Sequence, residues 1–251
     1  MMSWQARLKR AETSNGLSAD KLGTIVRPAQ QAGFDFLKRY EWLGTPGMTR
    51  WLFGLQTDEG LNAVVGFGLP SMHAAMTAIL PPGYSAGVVQ LTRGATAPGA
   101  HPHAASHLIS RSIRLLGRER SLTLVLAYAD PRAGELGTIY RSCSALYLGL
   151  TATGGAEAYI IHGRRYSARA TYRRFGTTAH ARLLRIDPGA RQIPRARKYR
   201  YAIPAGKPSI RRKIRRLLLP LSKEPPEVRT YAGEYARVVG RSCPLNGADE
   251  R

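Results

Sequence analysis

The chain has 251 residues, with 38 Lys and Arg against 16 Asp and Glu, and a formal net charge of +22. Hydrophobic residues make up 43% of the chain, which is enough for a core and excludes a wholly disordered protein. No run of about 18 apolar residues occurs, so the sequence predicts no membrane-spanning helix, and we expect no membrane partner. A charge of this size indicates a polyanionic partner, although a ribosome-like or merely soluble basic protein has the same composition.

Cysteine usage indicates a reducing compartment. Only Cys143 and Cys243 occur, without a Cys-x-x-Cys pair, and two thiols cannot form a zinc site without histidines. The first ten residues lack the apolar stretch of a secretory signal. We therefore expect a cytoplasmic protein with a flexible N-terminus over residues 1–24.

The first elements in chain order are a helix and a hairpin. Residues 28–40 have helical spacing of apolar side chains, and residues 51–56 and 61–69 read as strands. The segment between these strands, 57–60, ends in glycine and predicts a hairpin turn. Residues 70–86 are rich in Pro, Gly, Ala and Ser and predict a loop.

A strand, loop, helix and strand follow. Residues 87–93 predict a strand, 94–102 a loop, and 103–116 a helix that ends at Gly117. Residues 121–128 are almost continuously apolar, which is typical of a buried strand.

After a loop at 129–136, the pattern predicts a short helix over 138–146. Residues 148–152 and 158–162 are then candidates for a closing pair of strands. This alternation predicts an α/β (α+β) fold, a mixed central sheet flanked by helices with parallel neighbours in its middle.

The composition changes after Gly163. Residues 164–251 hold 23 basic and 6 acidic residues, whereas residues 1–163 hold 15 and 10. This region contains a predicted strand at 198–203 and a basic amphipathic helix at 209–219, with Ile210, Ile214, Leu217 and Leu218 on one stripe. We predict a catalytic core at 25–163 and a basic, polyanion-binding extension at 164–251 that packs on the core or continues it.

The strand, loop and helix around residues 88–116 form the first candidate site. A helix N-terminus exposes backbone N–H groups that favour an anion such as a pyrophosphate. Arg93 ends the strand and is a candidate to hold a phosphate or to organise the site, with a solvated strand end as the alternative. Ser106 lies in the first turn of the helix and is a candidate for ligand binding, with local helix capping as the alternative. His101, His103 and His107 suggest a metal cluster, but no carboxylate lies nearby in sequence.

The second candidate site follows the buried strand at 121–128, where open α/β sheets place ligands. Asp130 is a carboxylate at the strand tip, suited to accept a proton or orient an amine. Gly137 permits close backbone approach, Thr138 is placed to cap the next helix, and Tyr140 offers a phenol. The alternative makes Asp130 a loop starter and Tyr140 a core aromatic.

Several segments of the chain together form a recognisable pattern, of which Asp130-Pro131 followed by Gly137-Thr138-Ile139-Tyr140 is the most specific part. The other segments are Val89-Gln90-Leu91-Thr92-Arg93, His103-Ala104-Ala105-Ser106-His107-Leu108-Ile109, Tyr147-Leu148-Gly149, Phe175-Gly176-Thr177 and Lys198-Tyr199-Arg200-Tyr201. In order and spacing these segments resemble the Mom DNA-modification proteins of tailed phages, over roughly residues 34–221. If a phage encodes the chain, the expected compartment is the host bacterial cytoplasm.

The resemblance implies a GNAT-like (acyltransferase-type) fold and a transferase that converts adenine in double-stranded DNA to an N6-carbamoylmethyl derivative, which protects the DNA from restriction. It also implies acetyl-CoA or another acyl-CoA as donor, with iron as a suggested requirement. Two positions depart from the family pattern. His103 stands where the family often has Asn, and Glu41-Trp42 stands where it often has His-Tyr. Glu41 is a candidate base or metal ligand in place of that His, or the mark of a different donor or added group.

Basic and aromatic residues alternate in the C-terminal region. Arginine forks bind phosphates, and aromatic rings stack on a displaced base. An enzyme that acts on adenine N6 must reach an atom engaged in pairing, so base extrusion is expected. A solvated face or a membrane-surface helix remains the alternative for the last helix. The candidate DNA-binding residues are Arg164, Arg165, Arg169, Arg173, Arg174, Lys198, Tyr199, Arg200, Tyr201, Arg211, Arg212 and Lys213.

In the favoured mechanism, Asp130, with Glu41, orients or deprotonates the adenine amine, and Tyr140 or Ser106 protonates the leaving group or positions the donor. Arg93, His103, Ser106, Gly137 and Thr138 are the candidate donor-binding residues. Two other functions fit the sequence: a GNAT-type acetyltransferase acting on a protein or small amine, and a non-enzymatic basic DNA-binding protein.

Overall fold

The computed structural model describes residues 22–70, 80–81, 83–152 and 155–226. These residues form two compact units. The core unit runs as far as Gly149 and resumes at Tyr199, and the inserted unit is Leu150–Lys198. The boundaries between the units therefore differ from the division predicted at residue 163. Most of the predicted flexible N-terminus, and residues 71–79 and 82 of the predicted loop, lie outside the described residues.

The core unit is built on a mixed seven-stranded sheet, which confirms the predicted fold class. Its strands are β1 (Thr24–Val26), β2 (Trp51–Thr57), β3 (Gly60–Gly68), β4 (Val88–Thr96), β5 (Leu124–Ala129), β6 (Leu146–Leu150) and β10 (Tyr199–Pro204). Their order across the sheet is β1-β2-β3-β4-β5-β10-β6. Strands β1 to β4 pair antiparallel, β4 and β5 pair parallel, and β5 and β10 pair antiparallel.

Helices lie between most of these strands in the chain. Short 3-10 turns at Ser85–Gly87, Pro131–Ala133 and Leu219–Leu221 complete the described elements of the core unit. No described helix is both long enough and apolar enough to cross a membrane. The described helices are α1 (Gln30–Tyr40), α2 (Ala104–Glu119), α3 (Thr138–Ser142), α4 (Ala168–Phe175), α5 (His180–Ile186) and α6 (Pro208–Leu218).

Two apolar clusters hold the helices on the sheet. Phe36 and Leu37 of α1 pack against Leu52, Val64 and Ala95 of strands β2, β3 and β4. Burial of a side chain of this size contributes about 1.5–3 kcal/mol relative to leaving it exposed.

Helix α6 also packs on the sheet through buried apolar side chains, but it contributes fewer of them. Ile214 and Leu218 are one turn apart and fully buried, and they pack on Leu124 and Leu126 of β5. The predicted amphipathic helix is therefore confirmed. Leu217, which we placed on its apolar stripe, is instead 37% exposed.

The inserted unit has its own three-stranded sheet and its own core. The sheet consists of β7 (Ala156–Ile161), β8 (Arg164–Ser167) and β9 (Arg191–Pro194), with β7 in the middle. Tyr159, Ile161 and Leu183 are buried together, and the Tyr159 hydroxyl donates to the Thr178 carbonyl at 2.6 Å. The prediction that residues 148–152 and 158–162 form a closing pair was wrong, because β6 and β7 belong to different sheets.

Several boundaries differ from the sequence prediction. Strand β4 continues to Thr96 because it stays paired with β3 beyond the expected loop start. Helix α2 ends at Glu119 rather than at Gly117, and the Arg120 N–H donates to the Leu116 carbonyl. Gly117 does not have the positive φ with which a glycine ends a helix, and it lies inside the last turn of α2. Helix α3 ends at Ser142, four residues earlier than predicted.

Candidate functional site

The carboxyl ends of β4 and β5 separate. Their parallel pairing covers Val88–Gln90 of β4 and ends at the pair Gln90↔Leu126. Beyond that pair, β4 continues along β3 to Thr96, while β5 continues along β10 to Ala129. The two central strands therefore open towards the end of the sheet at which the sequence placed both candidate sites.

Arg93 holds a loop onto β4. Its Nε donates to the Thr45 carbonyl at 2.9 Å, and its Nη2 donates to the Thr45 hydroxyl at 3.1 Å. The Glu41 carboxylate lies 3.8 Å from Nε and accepts the Leu43 N–H at 2.8 Å. Glu41 is only 7% exposed. Both residues were predicted at the site, and the structure brings them together as an ion pair that positions the segment after α1.

Asp130 caps the short turn that follows β5. Its carboxylate accepts the Arg132 backbone N–H at 2.9 Å and the Arg132 Nε at 3.2 Å, and the Arg132 Nη2 lies 3.0 Å away. Asp130 is 2% exposed, so this charge is almost entirely removed from water. The loop-starter and the chemical roles are both compatible with this geometry. Sequence reasoning missed Arg132, which supplies the counter-charge.

Glu135 is a second residue that sequence reasoning missed. Its carboxylate accepts the Asp130 backbone N–H at 3.0 Å, and its own N–H donates to the Asp130 carbonyl at 3.2 Å. These two bonds close the loop between β5 and α3 and fix the backbone of Asp130. The signal was present in the sequence as an acidic residue five positions after Asp130.

Tyr140 lies on α3 and is buried. Its hydroxyl donates to the Tyr128 carbonyl at 3.4 Å, and its ring packs 5.5 Å from that of Tyr201. Burial raises the pKa of the Tyr140 phenol well above its usual value, and the neighbouring charges of Glu135 and Glu41 raise it further. The phenol therefore stays protonated across the ordinary pH range.

Tyr140 belongs to a group of packed tyrosines. Tyr147 contacts both Tyr199 and Tyr201, with ring centroids 6.0 and 5.2 Å apart. The Tyr201 hydroxyl donates to the Leu136 carbonyl, and burial raises the pKa of Tyr201. The predicted role of Tyr199 and Tyr201 in stacking on a base was wrong for this structure, because both side chains are fully buried in the core.

Gly137 allows the start of α3 to lie against the ring of Tyr201, because glycine has no side chain. It has φ +73°, and an added Cβ would lie 2.2 Å from a ring carbon of Tyr201. Gly137→Ala is expected to lower the free energy of unfolding by more than about 3 kcal/mol, because the substitution strains the backbone and displaces a buried ring. Urea unfolding followed by circular dichroism measures this change.

The matched control is Gly163→Ala. Gly163 also has φ +73°, but nothing lies within 4 Å of its added Cβ. We expect a loss of only about 1 kcal/mol there, from backbone strain alone. Equal losses in the two variants would contradict the role assigned to the contact between Gly137 and Tyr201.

The N-terminus of α2 faces the same end of the sheet. Its N-cap, His103, makes no side-chain capping bond, and the Ser106 hydroxyl donates to the His103 carbonyl at 3.1 Å. Ser106 therefore makes the local helix-end bond that was its alternative role. Cys143, after α3, donates from Sγ to the Ser106 carbonyl at 3.5 Å, which places the start of α2 beside α3. The predicted cap by Thr138 was wrong, because Gly137 is the N-cap of α3 and no side chain caps it.

The histidines form no metal cluster within the described residues. His101 Nδ1 accepts the His103 backbone N–H at 3.0 Å, so one ring nitrogen is already used for loop geometry. Throughout the described part of the chain, no group of three or more His, Cys, Asp or Glu is arranged to hold a metal ion. These residues therefore do not fit the iron implied by the resemblance. His73 and Cys243 lie outside the described residues.

Most candidate DNA-binding residues are exposed. Lys198 and Arg200 are half-buried, and the Arg200 Nη2 donates to the Leu148 carbonyl at 3.2 Å. Arg165 forms an ion pair with Glu157 at 3.2 Å. The fully exposed candidates are Arg164, Arg165, Arg169, Arg173 and Arg174 in the inserted unit and Arg211, Arg212 and Lys213 on α6.

An open cavity of about 890 Å³ lies at the opposite end of the central strands. Val88 and Thr123, near the amino ends of β4 and β5, contribute to its wall together with Trp51 and Lys207. Arg93, Ser106, Asp130 and Tyr140 do not line this cavity, so it is separate from the candidate site at the carboxyl ends of β4 and β5.

Solved structures with a related backbone include N-acetyltransferases. The ribosomal-protein-S18-alanine N-acetyltransferase from Escherichia coli has 10% identity and a TM-score of 0.42, covering 73% of this chain and 94% of its own. A spermidine N-acetyltransferase chimera from Vibrio cholerae and hSSAT has 11% identity and a TM-score of 0.40, covering 76% and 97%.

A third similar structure is the N-acetylglutamate synthase from Neisseria gonorrhoeae, in complex with coenzyme A and N-acetyl-glutamate. It has 11% identity and a TM-score of 0.30, and the alignment covers 80% of this chain and 32% of that one. The comparison with curated proteins found no match. A family model, the Mom protein family, matches residues 27–223, which is most of the chain. The chain therefore belongs to the Mom protein family.

Proposed function

We propose that this chain is a transferase that modifies adenine in double-stranded DNA. The observation that carries the proposal is the Mom family match over residues 27–223, which includes every residue of the candidate site. The net charge of +22 supports a polyanionic substrate. The buried, ion-paired carboxylates and the protonated phenol at one end of the sheet support an enzyme rather than a passive DNA-binding protein.

An acyl-CoA-type donor fits the separated ends of β4 and β5. The first turn of α2 carries no side-chain cap at His103, so its backbone N–H groups are suited to a pyrophosphate. Ser106 lies in the same turn and adds a hydroxyl. We propose that these residues hold the phosphates of the donor. When bound, a thioester donor supplies an activated acyl group.

The proton transfers fall to side chains around the loop between β5 and α3. In our proposal the carboxylate of Asp130 orients the adenine amine and accepts its proton, while Arg132 and Glu135 fix the position of that carboxylate. Glu41 supplies a second buried carboxylate. Tyr140 is proposed to position the donor through a hydrogen bond from its hydroxyl, because the raised pKa keeps the phenol protonated and makes it a weak acid.

The group added is proposed to be of the N6-carbamoylmethyl type, which would mask the DNA from restriction enzymes. Transfer of an acyl group to N6 would form an N–C bond to the carbonyl and release the thiol, giving an amide. A carbamoylmethyl group is attached through its methylene carbon instead. The mass and fragmentation of the modified nucleoside therefore separate these two chemistries.

The test is expression in bacteria, digestion of the cellular DNA to nucleosides, and mass spectrometry. We expect a new deoxyadenosine derivative that is absent from cells carrying the empty vector. Unmodified DNA in cells that contain abundant soluble protein would overturn the proposal. Acetylated protein or small amines in those cells would then favour an acetyltransferase, and salt-sensitive DNA binding without any acetylated product would favour a non-enzymatic DNA-binding protein.

A further inference from the structure

The inserted unit concentrates positive charge. Residues 150–198 contain 11 Lys and Arg and two acidic residues, Glu157 and Asp187. Both carboxylates are engaged within the unit. Glu157 accepts from Arg165, and Asp187 accepts the backbone N–H groups of His162 and Gly189 at 2.6 and 2.8 Å. Among the described residues, no carboxylate pairs with the exposed arginines of α4, as expected for a phosphate-binding surface.

One aromatic residue lies on this surface. Tyr166 and Phe175 pack edge to face with ring centroids 5.5 Å apart, and the Arg174 guanidinium lies over both rings. Tyr172 has no such cover and is 62% exposed. Among the described Phe, Tyr and Trp residues it is the only one that is exposed. Packing in the unit's core does not explain this ring.

Two exposed arginines lie close to Tyr172 on α4. Arg169 is one helical turn from both Tyr172 (i, i+3) and Arg173 (i, i+4), so all three side chains lie on neighbouring parts of the helix surface. Tyr172 and Arg173 are consecutive residues, so Tyr172 lies beside the arginine pair and not between its members. On another side of the helix Thr171 is fully buried, and its hydroxyl donates to the carbonyl of the N-cap Ser167 at 3.0 Å, within the start of the helix. Helix α4 therefore presents a planar ring next to two guanidinium groups that are suited to bind phosphate.

We infer that Tyr172 stacks on an unpaired nucleobase of the DNA substrate while Arg169 and Arg173 bind phosphates beside that base. Every nucleobase offers a π-face, so such a contact needs no sequence-specific hydrogen bonds. The inference rests on the proposed DNA substrate and adds the residue that distinguishes an unpaired base from a paired one. Modification at adenine N6 requires the base to leave the duplex, and a stacking side chain stabilises the opened state.

The experiment compares the full-length protein on two duplexes. One is fully paired, and the other carries an adenine or 2-aminopurine opposite an abasic site. We expect Tyr172→Ala to weaken binding to the duplex with the unpaired base by about tenfold and to change binding to the paired duplex less than about twofold. We expect Tyr172→Phe to retain wild-type affinity, and the quenching of 2-aminopurine fluorescence to be lost only in the Ala variant.

Two further readouts separate stacking from charge and from folding. The slope of affinity against salt should be unchanged in Tyr172→Ala, because no phosphate contact is removed. The matched control is Leu184→Ala, which removes another exposed apolar side chain of the same unit, 39% exposed on α5. This control should bind both duplexes as the wild type does.

Unchanged binding of Tyr172→Ala to both duplexes, in a protein that modifies DNA, would overturn this inference and leave the proposed function intact. Equal weakening on the paired and unpaired duplexes would also overturn it, because the loss would not depend on an unpaired base. If the wild-type protein bound neither duplex and left adenine unmodified, the proposed function and this inference would fail together.

Discussion

Asp130→Asn is expected to lower the rate of adenine modification by about 10²- to 10⁴-fold while the fold is retained. The amide oxygen of Asn can still accept the Arg132 backbone N–H, which Asp130 accepts at 2.9 Å. The substitution therefore preserves the cap of the turn and removes the negative charge and the basicity. The measurement is the modified fraction of deoxyadenosine in cellular DNA, together with the thermal midpoint of the purified variant.

Comparison with Asp130→Ala separates chemistry from structure. Ala removes both the cap and the charge and leaves Arg132 without its nearest carboxylate, so we expect this variant to lose activity and to unfold at lower temperature. Full activity of Asp130→Asn would contradict the proposed role of the carboxylate and leave Asp130 as a structural cap. Loss of activity with an unchanged thermal midpoint would support the proposed proton acceptor.

The central part of the fold was predictable because its signals are local. Residues 121–128 are almost continuously apolar, and β5 is buried on both faces, as that pattern indicates. A carboxylate directly after such a strand lies at the carboxyl edge of the sheet, so Asp130 was placed correctly without knowledge of any contact. The hairpin of β2 and β3 was likewise readable from two apolar runs around a turn that ends in Gly60.

The position of β10 was not predictable from local pattern. Tyr199 pairs with Ala129 and Pro204 with Leu124, which are separated by many residues and by the inserted unit. Nothing in the sequence of 198–203 says which strands it joins. Its tyrosines looked like surface aromatics among basic residues, whereas insertion between β5 and β6 buries Tyr199 and Tyr201 completely.

The partners of the site carboxylates were missed for a different reason. Arg132 follows Asp130 by two residues, and Asp-Pro-Arg after a strand is a pattern from which a capping turn with an ion pair can be read. Arg93 was expected to bind a phosphate or to organise the site, with a solvated strand end as the alternative. Its bonds to Thr45 depend on the path of the loop after α1, and no periodicity reveals that path.

Arg169→Gln together with Arg173→Gln is expected to weaken binding of duplex DNA by roughly tenfold or more near physiological salt. Each lost phosphate contact should reduce the slope of log affinity against log salt by about 1, so the double variant should lose about 2. Both side chains are exposed on α4 and buried core residues are untouched, so stability should change little. Fluorescence anisotropy over a salt series measures the affinity and the slope.

The control carries the same change of charge on the core unit. Arg114 and Arg118 are exposed and also one helical turn apart, on α2, and they were not among the predicted DNA-binding residues. Arg114→Gln with Arg118→Gln should therefore leave the salt slope within about half a unit of the wild type. If both double variants lost the same affinity and the same slope, binding would follow net charge alone, and α4 would not be a specific DNA-binding surface. A loss confined to the α4 variant would identify the inserted unit as the part of the chain that holds the DNA backbone, with α6 as the next set of cations to neutralise.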